Sequence, residues 1–145
     1  MTDSPASSAH LRTLRESCGL TMQTAADLCG VSLRTWQYWE SPASEQTIKP
    51  DVRKLLGDLL ERKSELVAEF LASVGEDGDG APVVLVRYRS QEELDRHRPG
   101  FPGGFGLHNA IIAALLEQLG ERAVVQWAPL LGATARQQTD PSESK

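Results

Sequence analysis

Residues 20–40 read LTMQTAADLCGVSLRTWQYWE, and their spacing is that of two short helices joined by a tight turn. Gly30 stands where the first helix must end and the chain must reverse, because a residue without Cβ adopts the left-handed conformation at little cost. Val31 follows as an apolar residue. Ser32 then stands at the N-cap of the next helix, where its hydroxyl can accept a hydrogen bond from a free backbone N–H. The stretch therefore predicts a helix-turn-helix.

The sequence on either side of this motif is also helical in pattern. At residues 8–17 and just beyond, Leu11, Leu14 and Cys18 recur at three- and four-residue spacing. A second helical pattern runs over residues 51–74 and would make a helix roughly 36 Å long. Its apolar stripe continues beyond what a small helix-turn-helix core needs. We therefore expect its second half to pack against the C-terminal region or against another subunit.

The second half of the chain follows a Gly- and Asp-rich break at residues 75–82 and alternates strand and helix signals. Two strands alone make a marginal sheet. Pairing with a second copy of the chain would stabilise such a sheet, and this predicts a homodimer. The predicted elements are β-branched runs at 83–89 and 122–130, a short helix at 90–97 and an apolar helix at 107–120.

These patterns predict a mainly α protein with a small α+β part. It would consist of an N-terminal helix-turn-helix bundle, a long connecting helix and a C-terminal two-stranded and helical dimerisation unit. The first domain, including the long helix, is expected at residues 8–74 and the second at 82–130. Residues 1–7 and 132–145 are rich in small and polar residues, so they are expected to be disordered.

The composition is that of an ordinary soluble globular protein, with 40% hydrophobic and 24% charged residues. No apolar run approaches the ~18 residues of a transmembrane helix. The N-terminus MTDSPASSAH lacks the basic patch and apolar core of a signal peptide. We therefore expect a cytoplasmic protein without a membrane partner. Two cysteines, Cys18 and Cys29, fit a reducing compartment better than a disulfide framework.

The net charge of −5 argues at first against a nucleic-acid partner, but the charge is unevenly distributed. Residues 1–55 hold six basic and six acidic side chains, so the acidic excess lies in the rest of the chain. A neutral N-terminal part can still present a basic face to DNA. Because its general attraction to phosphates is modest, its affinity must come from dimerisation and from base contacts.

The second helix of the motif offers polar side chains on one side. Trp36 has the spacing that points back into the core, whereas Arg34, Gln37 and Tyr38 form an i, i+3, i+4 cluster on the exposed side. An Arg side chain can donate two hydrogen bonds to guanine, and a Gln side chain can pair similarly with adenine. Tyr38 can touch a phosphate or a thymine methyl group. The expected base-contacting residues are Leu33, Arg34, Gln37 and Tyr38.

Four further side chains are expected to contact DNA phosphates. Ser32 and Thr35 stand at the start of the second helix, where free N–H groups and the helix dipole favour an anion. Thr21 and Gln23 occupy the corresponding place in the preceding helix. The alternative is an ordinary amphipathic helix pair, because Arg, Gln and Tyr are common on solvated faces. The glycine turn, the serine cap and the small residues between the helices together favour nucleic-acid binding.

The motif resembles the helix-turn-helix of the Cro/C1-type (xenobiotic-response-element) regulators. More narrowly, RTWQYWES at 34–41, followed by a Pro-Asp-Val helix start at 50–52, resembles the anti-CRISPR-associated (Aca) autorepressors of phages and mobile elements. VRYRSQEELDRHRPG and HNAIIAALLEQLGERAVVQW resemble the strand, short acidic helix, C-terminal helix and last strand of that family. The resemblance covers about residues 9–128, and the segment TWQYWE is its most specific part.

This resemblance implies that the N-terminal domain binds an inverted repeat in the promoter of its own operon and that the C-terminal domain forms the dimer. It also places Arg34, Gln37 and Tyr38 at the DNA-reading positions of the family. Met22 departs from the wider superfamily, which often has a phosphate-binding Gln at that position, although Gln23 is adjacent. Some relatives also bind RNA, and this leaves an RNA partner open.

No other cluster in the sequence indicates catalysis or a bound metal. His10, His97 and His108 are scattered and have no Cys at metal-binding spacing, so we expect surface histidines and neither a metal nor a cofactor. Glu93 and Asp95 belong to a short helix that is expected to be solvated, and this is a poor setting for acid–base chemistry. The sequence therefore predicts a protein that is not an enzyme.

Together these features predict a transcriptional repressor that acts as a homodimer on an inverted repeat of double-stranded DNA. The resemblance adds autoregulation and the control of an anti-CRISPR operon. One alternative is an antitoxin-like protein-interaction module in which DNA binding is secondary. A second is an RNA-binding regulator. A third, an enzyme built on the α+β half, lacks an ionisable cluster that would support it.

Overall fold

The computed structural model describes residues 7–75 and 80–130 and shows a mainly helical protein with one small sheet. This confirms the predicted fold class. Of the residues predicted to be disordered, 1–6 and 132–145 lie outside the described residues, whereas Ser7 is described and caps α1 by accepting from the N–H of His10 at 3.3 Å. The elements are α1 Ser8–Ser17, α2 Met22–Cys29, α3 Leu33–Glu40, α4 Pro50–Val74, β1 Val83–Arg87, α5 Gln91–His97, α6 Gly104–Leu119, a single 3-10 turn at Gly120–Arg122 and β2 Ala123–Trp127.

The helix-turn-helix forms as its local sequence predicts. Gly30 ends α2 with φ 72°, in the left-handed region. The N–H of Val31 donates to the carbonyl of Ala26 at 3.0 Å, which closes the turn. Ser32 then caps α3, because its hydroxyl accepts from the N–H of Thr35 at 3.0 Å. The turn and the cap together fix the angle at which α3 leaves α2.

The core of the first three helices is built around Trp36, whose side chain has no exposed surface. Ala25 and Ala26 are also fully buried, and their small side chains allow α2 and α3 to approach closely. Leu11 contributes from α1. Residues of this kind are expected where helices cross at short distance.

The long helix α4 connects the two halves of the chain. Its first half buries Val52 and Leu56 against the helix-turn-helix, and its second half packs Leu66 and Phe70 against the same continuous core. α4 packs against α6, so the C-terminal region covers part of the apolar stripe. This agrees with the first of the two alternatives that the sequence left open.

The two halves also meet where the turn after α1 touches the first turn of α6. Gly19 has φ +75°, and a Cβ on it would overlap the carbonyl oxygen of Gly106. A Cβ on Gly106 would overlap the carbonyl oxygen of Gly19 in turn. Only two residues without side chains allow this approach of backbone to backbone.

The sheet consists of β1 and β2 side by side in parallel, with register Val83↔Ala123 through Arg87↔Trp127. The connection between the strands contains α5 and α6, and a parallel pair needs a crossover of this kind. Both strands end earlier than the predicted runs at 83–89 and 122–130. The N–H of Ala128 still donates to the carbonyl of Arg87 at 2.9 Å just beyond the strand.

The helix α6 starts three residues before the predicted residue 107. Gly103 has φ 79° and reverses the chain, so that Gly104 already begins the helix. The N–H of Phe105 donates to Oε1 of Gln91 at 2.8 Å, which ties the start of α6 to α5. Residues 104–106, which lie outside the predicted helix, therefore form its first turn.

Candidate nucleic-acid interface

The solvent-facing side of α3 carries the side chains predicted to read bases. Arg34, Gln37 and Tyr38 are exposed, with Tyr38 at 53%, while Leu33 is half-buried at the start of the helix. Within residues 7–75 and 80–130, none of these three exposed side chains makes a hydrogen bond or ion pair. They are therefore free to contact a ligand without first breaking an interaction within the protein.

The opposite side of α3 is held by a buried network that the sequence did not reveal. Glu40 is 5% exposed, and its carboxylate accepts from Nε and Nη2 of Arg15 at 2.6 and 3.1 Å. The same carboxylate accepts from Nε1 of Trp36. Nη1 of Arg15 donates to the carbonyl of Leu20 at 2.8 Å. The network thus links α1, the turn before α2 and both turns of α3.

One signal in the sequence points to part of this network. Trp36 and Glu40 are four residues apart, so a helix places their side chains on the same face. If Trp36 lies in the core, then Glu40 must be buried too, and a buried carboxylate needs a cationic or N–H partner. Nothing in the local pattern identifies Arg15 as that partner, because the two residues are 25 positions apart.

Trp39 is half-buried and packs against the core. Its ring centroid lies 5.5 Å from that of Trp36. Nζ of Lys49 lies 6.0 Å from the same Trp39 ring, at the outer limit of a cation–π contact. The aromatic pair therefore packs α3 against the segment that leads into α4.

The predicted phosphate-contacting residues lie at the starts of α2 and α3. Thr21 caps α2 by accepting from the N–H of Thr24 at 3.1 Å, and Ser32 caps α3 in the same way. The hydroxyls of Ser32 and Thr35 lie 3.0 Å apart. Nε2 of Gln23 donates to Oδ1 of Asp27 at 2.9 Å. Both helices thus begin in a capped turn whose first N–H groups have no partner within the helix, an arrangement suited to an anion.

The prediction of surface histidines is wrong for two of the three. His108, on α6, is 6% exposed, and His97, on α5, is half-buried. Each ring lies 5.1 Å from the ring of Tyr88. They are buried because both helices pack around that tyrosine. Burial first, and then the nearby charge of Arg98, lowers the pKa of His108 to about 4. His10 is exposed, as expected.

The expectation of a solvated acidic helix is wrong for Glu93. This residue is 5% exposed, and its carboxylate accepts from the N–H of Arg89 and from Nη1 of the same arginine, both at 2.6 Å. The Arg89 backbone hydrogen bond is the main reason that the pKa of Glu93 is lowered. Arg89 also donates to the carbonyl of Ala128 at 2.9 Å, so the ion pair fastens α5 to the end of β2.

The described residues hold no group of three or more His, Cys, Asp or Glu that could bind a metal ion. The two thiols are free, with Cys18 buried and Cys29 half-buried, and burial raises the pKa of both. In the part of the chain that the structure describes, no helix is long and apolar enough to cross a membrane.

The fold and this surface define a helix-turn-helix protein of the regulator class. A model of the Aca2/YdiL-like family matches residues 7–124, and the chain therefore belongs to that family. The match confirms the resemblance read from RTWQYWES and from the second half of the sequence. No curated protein matches the chain significantly.

Proposed function

We propose that this protein is a sequence-specific DNA-binding repressor that acts as a homodimer on an inverted repeat in the promoter of its own operon, in the cytoplasm. The observation that carries the proposal is the pairing of two features of α3. Arg34, Gln37 and Tyr38 are exposed and unengaged, while Trp36 and Glu40 anchor the other side of the helix in a buried network. Membership of a regulator family supports the same function.

In the proposed complex, α3 lies in the major groove. Arg34 donates two hydrogen bonds to a guanine and Gln37 pairs with an adenine, each contributing roughly 1–3 kcal/mol of discrimination. Tyr38 contacts a thymine methyl group or a phosphate, and Leu33 packs against the edge of a base. A rigid helix is needed for this purpose, because a base contact is specific only if the side chain arrives in one register.

The phosphate contacts are assigned to the capped starts of α2 and α3. Thr21 and Gln23 would hold one phosphate, and Ser32 and Thr35 another, together with the free N–H groups of each first turn. These contacts carry little sequence information but fix the position of α3 along the groove. The Gln23 amide, now bound to Asp27, would have to exchange that hydrogen bond for one to phosphate.

Dimerisation is proposed because one helix-turn-helix with no net charge gives little affinity by itself. The C-terminal sheet leaves large apolar side chains exposed, including Val84 at 47%, Val124 at 42% and Trp127 at 56%. Val84 and Val124 are partners in the strand register, and exposed apolar residues side by side on a two-stranded sheet are suited to pairing with a second copy. Two copies of α3 would then enter successive major grooves about 34 Å apart.

Selection of bound fragments from random DNA and from the DNA upstream of the gene tests the proposal. We expect an inverted repeat whose half-site centres are about one helical turn apart, 10–10.5 base pairs or a multiple of this. Recovery of sites without symmetry would overturn the homodimeric model. If the selection recovered no DNA site and the protein instead bound RNA fragments, the RNA-binding regulator would replace the DNA-binding repressor.

The identity of the regulated operon is the most specific part of the proposal. We propose autoregulation and, on the family resemblance, control of an anti-CRISPR gene. A reporter driven by the promoter upstream of the gene should be repressed when the protein is supplied in trans. A promoter with one half-site scrambled is the matched control, and it should escape repression if a dimer is required.

A further inference from the structure

A cavity of about 470 Å³ lies between the second half of α4, β1 and α6, in the C-terminal half of the chain. Most of its wall is apolar and comes from all three elements. Its size falls in the range of 300–1,000 Å³ that is typical of small-molecule sites. The main apolar wall residues are Leu66, Phe70, Val84, Val86, Ile111 and Leu115.

The polar wall residues of the cavity are few and comprise Glu69, Tyr88, Arg98 and His108. His108 lines the wall, is 6% exposed, and its Nδ1 has no hydrogen-bond partner among the described residues. A buried polar atom without a partner costs roughly 1–3 kcal/mol, so a ligand atom that satisfied it would be bound favourably. Tyr88, whose ring lies 5.1 Å from that of His108 with a tilt of 54°, lines the same wall.

Near His108 stands a cation, Arg98, that forms no ion pair within the described residues. Arg98 lines the cavity, and its guanidinium lies 5.9 Å from the ring of Phe101, another wall residue. Within the described residues Arg98 has neither an ion pair nor a side-chain hydrogen bond. Glu69, the other charged wall residue, comes from α4 rather than from the segment between α5 and α6 that carries Arg98.

We propose that this cavity binds a small apolar or aromatic carboxylic acid. Its hydrocarbon body lies against Phe70 and the aliphatic wall, and its carboxylate lies at Arg98 and accepts from the ring N–H of His108. His108 is neutral near pH 7, because burial and the charge of Arg98 lower its pKa to about 4. A neutral imidazole keeps one N–H to donate. The site does not depend on the proposed DNA binding.

The test is isothermal titration calorimetry of the full-length protein with 2-naphthoate and with decanoate as probes, and with 2-naphthamide as the uncharged match. We expect one carboxylate to bind per chain. The amide should bind at least about tenfold more weakly, because it loses one charge-assisted hydrogen bond. Equal binding of 2-naphthoate and 2-naphthamide would overturn the proposal. So would the absence of binding by both carboxylates at millimolar concentration.

Two variants assign the binding to this cavity. Arg98→Gln should weaken the binding of 2-naphthoate about tenfold and leave the binding of 2-naphthamide unchanged. Arg96→Gln is the matched control, because Arg96 is two residues away but pairs with Glu92 at 3.4 Å on the surface of α5. Equal effects of the two substitutions would overturn the assignment.

A second copy of the chain is the other possible occupant of the cavity. Ile111→Phe should narrow the cavity, weaken the binding of both carboxylates and leave the molecular mass in light scattering unchanged. If Ile111→Phe instead converted a dimer into a monomer, the cavity would be part of the subunit interface and the proposal would fall. Circular dichroism of each variant verifies that it is folded.

Discussion

Arg15 and Glu40 are 25 residues apart in the chain and form a bidentate ion pair inside the helix-turn-helix, with Nε–Oε2 at 2.6 Å and Nη2–Oε1 at 3.1 Å. Their side chains are 9% and 2% exposed. A buried pair of this kind stabilises little relative to an apolar pair, but removing one partner leaves an uncompensated charge. The pair therefore makes the position of α3 strongly dependent on both residues.

We predict that Glu40→Ala destabilises the protein by roughly 3–5 kcal/mol, because Arg15 would remain buried without a counter-charge. The indole N–H of Trp36 would also lose its acceptor. Urea denaturation gives the free energy of unfolding. Glu16→Ala is the control, since its ion pair with Arg12 at 3.2 Å is exposed and should contribute less than about 1 kcal/mol. Similar losses in both variants would show that the buried network adds no stability.

The proposed base contact of Arg34 predicts a loss of specificity without a loss of fold. Arg34→Ala should weaken operator binding by roughly 1–3 kcal/mol and relax the base preference at one position per half-site. Its unfolding free energy should stay within about 0.5 kcal/mol of wild type, because Arg34 is exposed and unpaired. Arg62→Ala, an exposed arginine on α4, is the control. Unchanged operator affinity in Arg34→Ala would remove Arg34 from the reading surface.

The proposed dimer interface on the sheet predicts a substitution that separates the two copies. Val124→Lys should shift the protein from dimer to monomer in light scattering and lower operator affinity, because a lysine buried in an apolar interface has no partner. Leu28→Lys is the matched control for Val124→Lys. Leu28 and Val124 are both 42% exposed, but Leu28 lies on α2 and not on the sheet. It should leave the mass unchanged. A dimer that survived Val124→Lys but not Leu28→Lys would place the interface on the first half of the chain.

His108 predicts a loss of stability in acid. Its pKa is about 4 in the folded protein against 6.5 for an ordinary histidine, so the unfolded chain binds more protons between these values. Stability should therefore fall as the pH drops from about 6.5 to about 4, by at most roughly 3 kcal/mol from this residue. Glu93, whose pKa is also lowered, adds to the loss below its ordinary value of 4.5.

The measurement for this pH effect is urea denaturation at several pH values. His108→Gln should flatten the profile between pH 6.5 and 4, because glutamine takes up no proton. A profile that stayed equally steep in His108→Gln would assign the acid sensitivity to other groups.

The contact of Gly19 with Gly106 predicts opposite effects of two glycine substitutions. Gly106→Ala should destabilise by roughly 1–3 kcal/mol, because its Cβ would overlap the Gly19 carbonyl. Gly57→Ala should stabilise by up to about 1 kcal/mol, because Gly57 lies inside α4 with nothing within 4 Å of a new Cβ. Thermal unfolding of both variants gives the comparison. A stabilising Gly106→Ala would show that α6 can move away from the turn without cost.

Most of the element boundaries in the first half were predictable, since they depend on local chemistry. Gly30, Ser32 and Thr21 act through hydrogen bonds to residues three to five positions away, and a sequence pattern contains that information. The early start of α6 at Gly104 was missed, because it depends on Gln91, 14 positions before Phe105. A local pattern of glycines cannot distinguish a flexible turn from a helix start fixed from a distance.

The sequence alone determined the helix-turn-helix, the exposed side of α3 and the family, because each is encoded by neighbouring residues or by a continuous motif. Only the tertiary structure decided the rest. It paired Arg15 with Glu40, buried Glu93 and His108, set the strands parallel and placed Gly19 against Gly106. These are contacts between segments far apart in the chain or consequences of how helices pack, and burial by a distant segment leaves no periodic trace in the sequence.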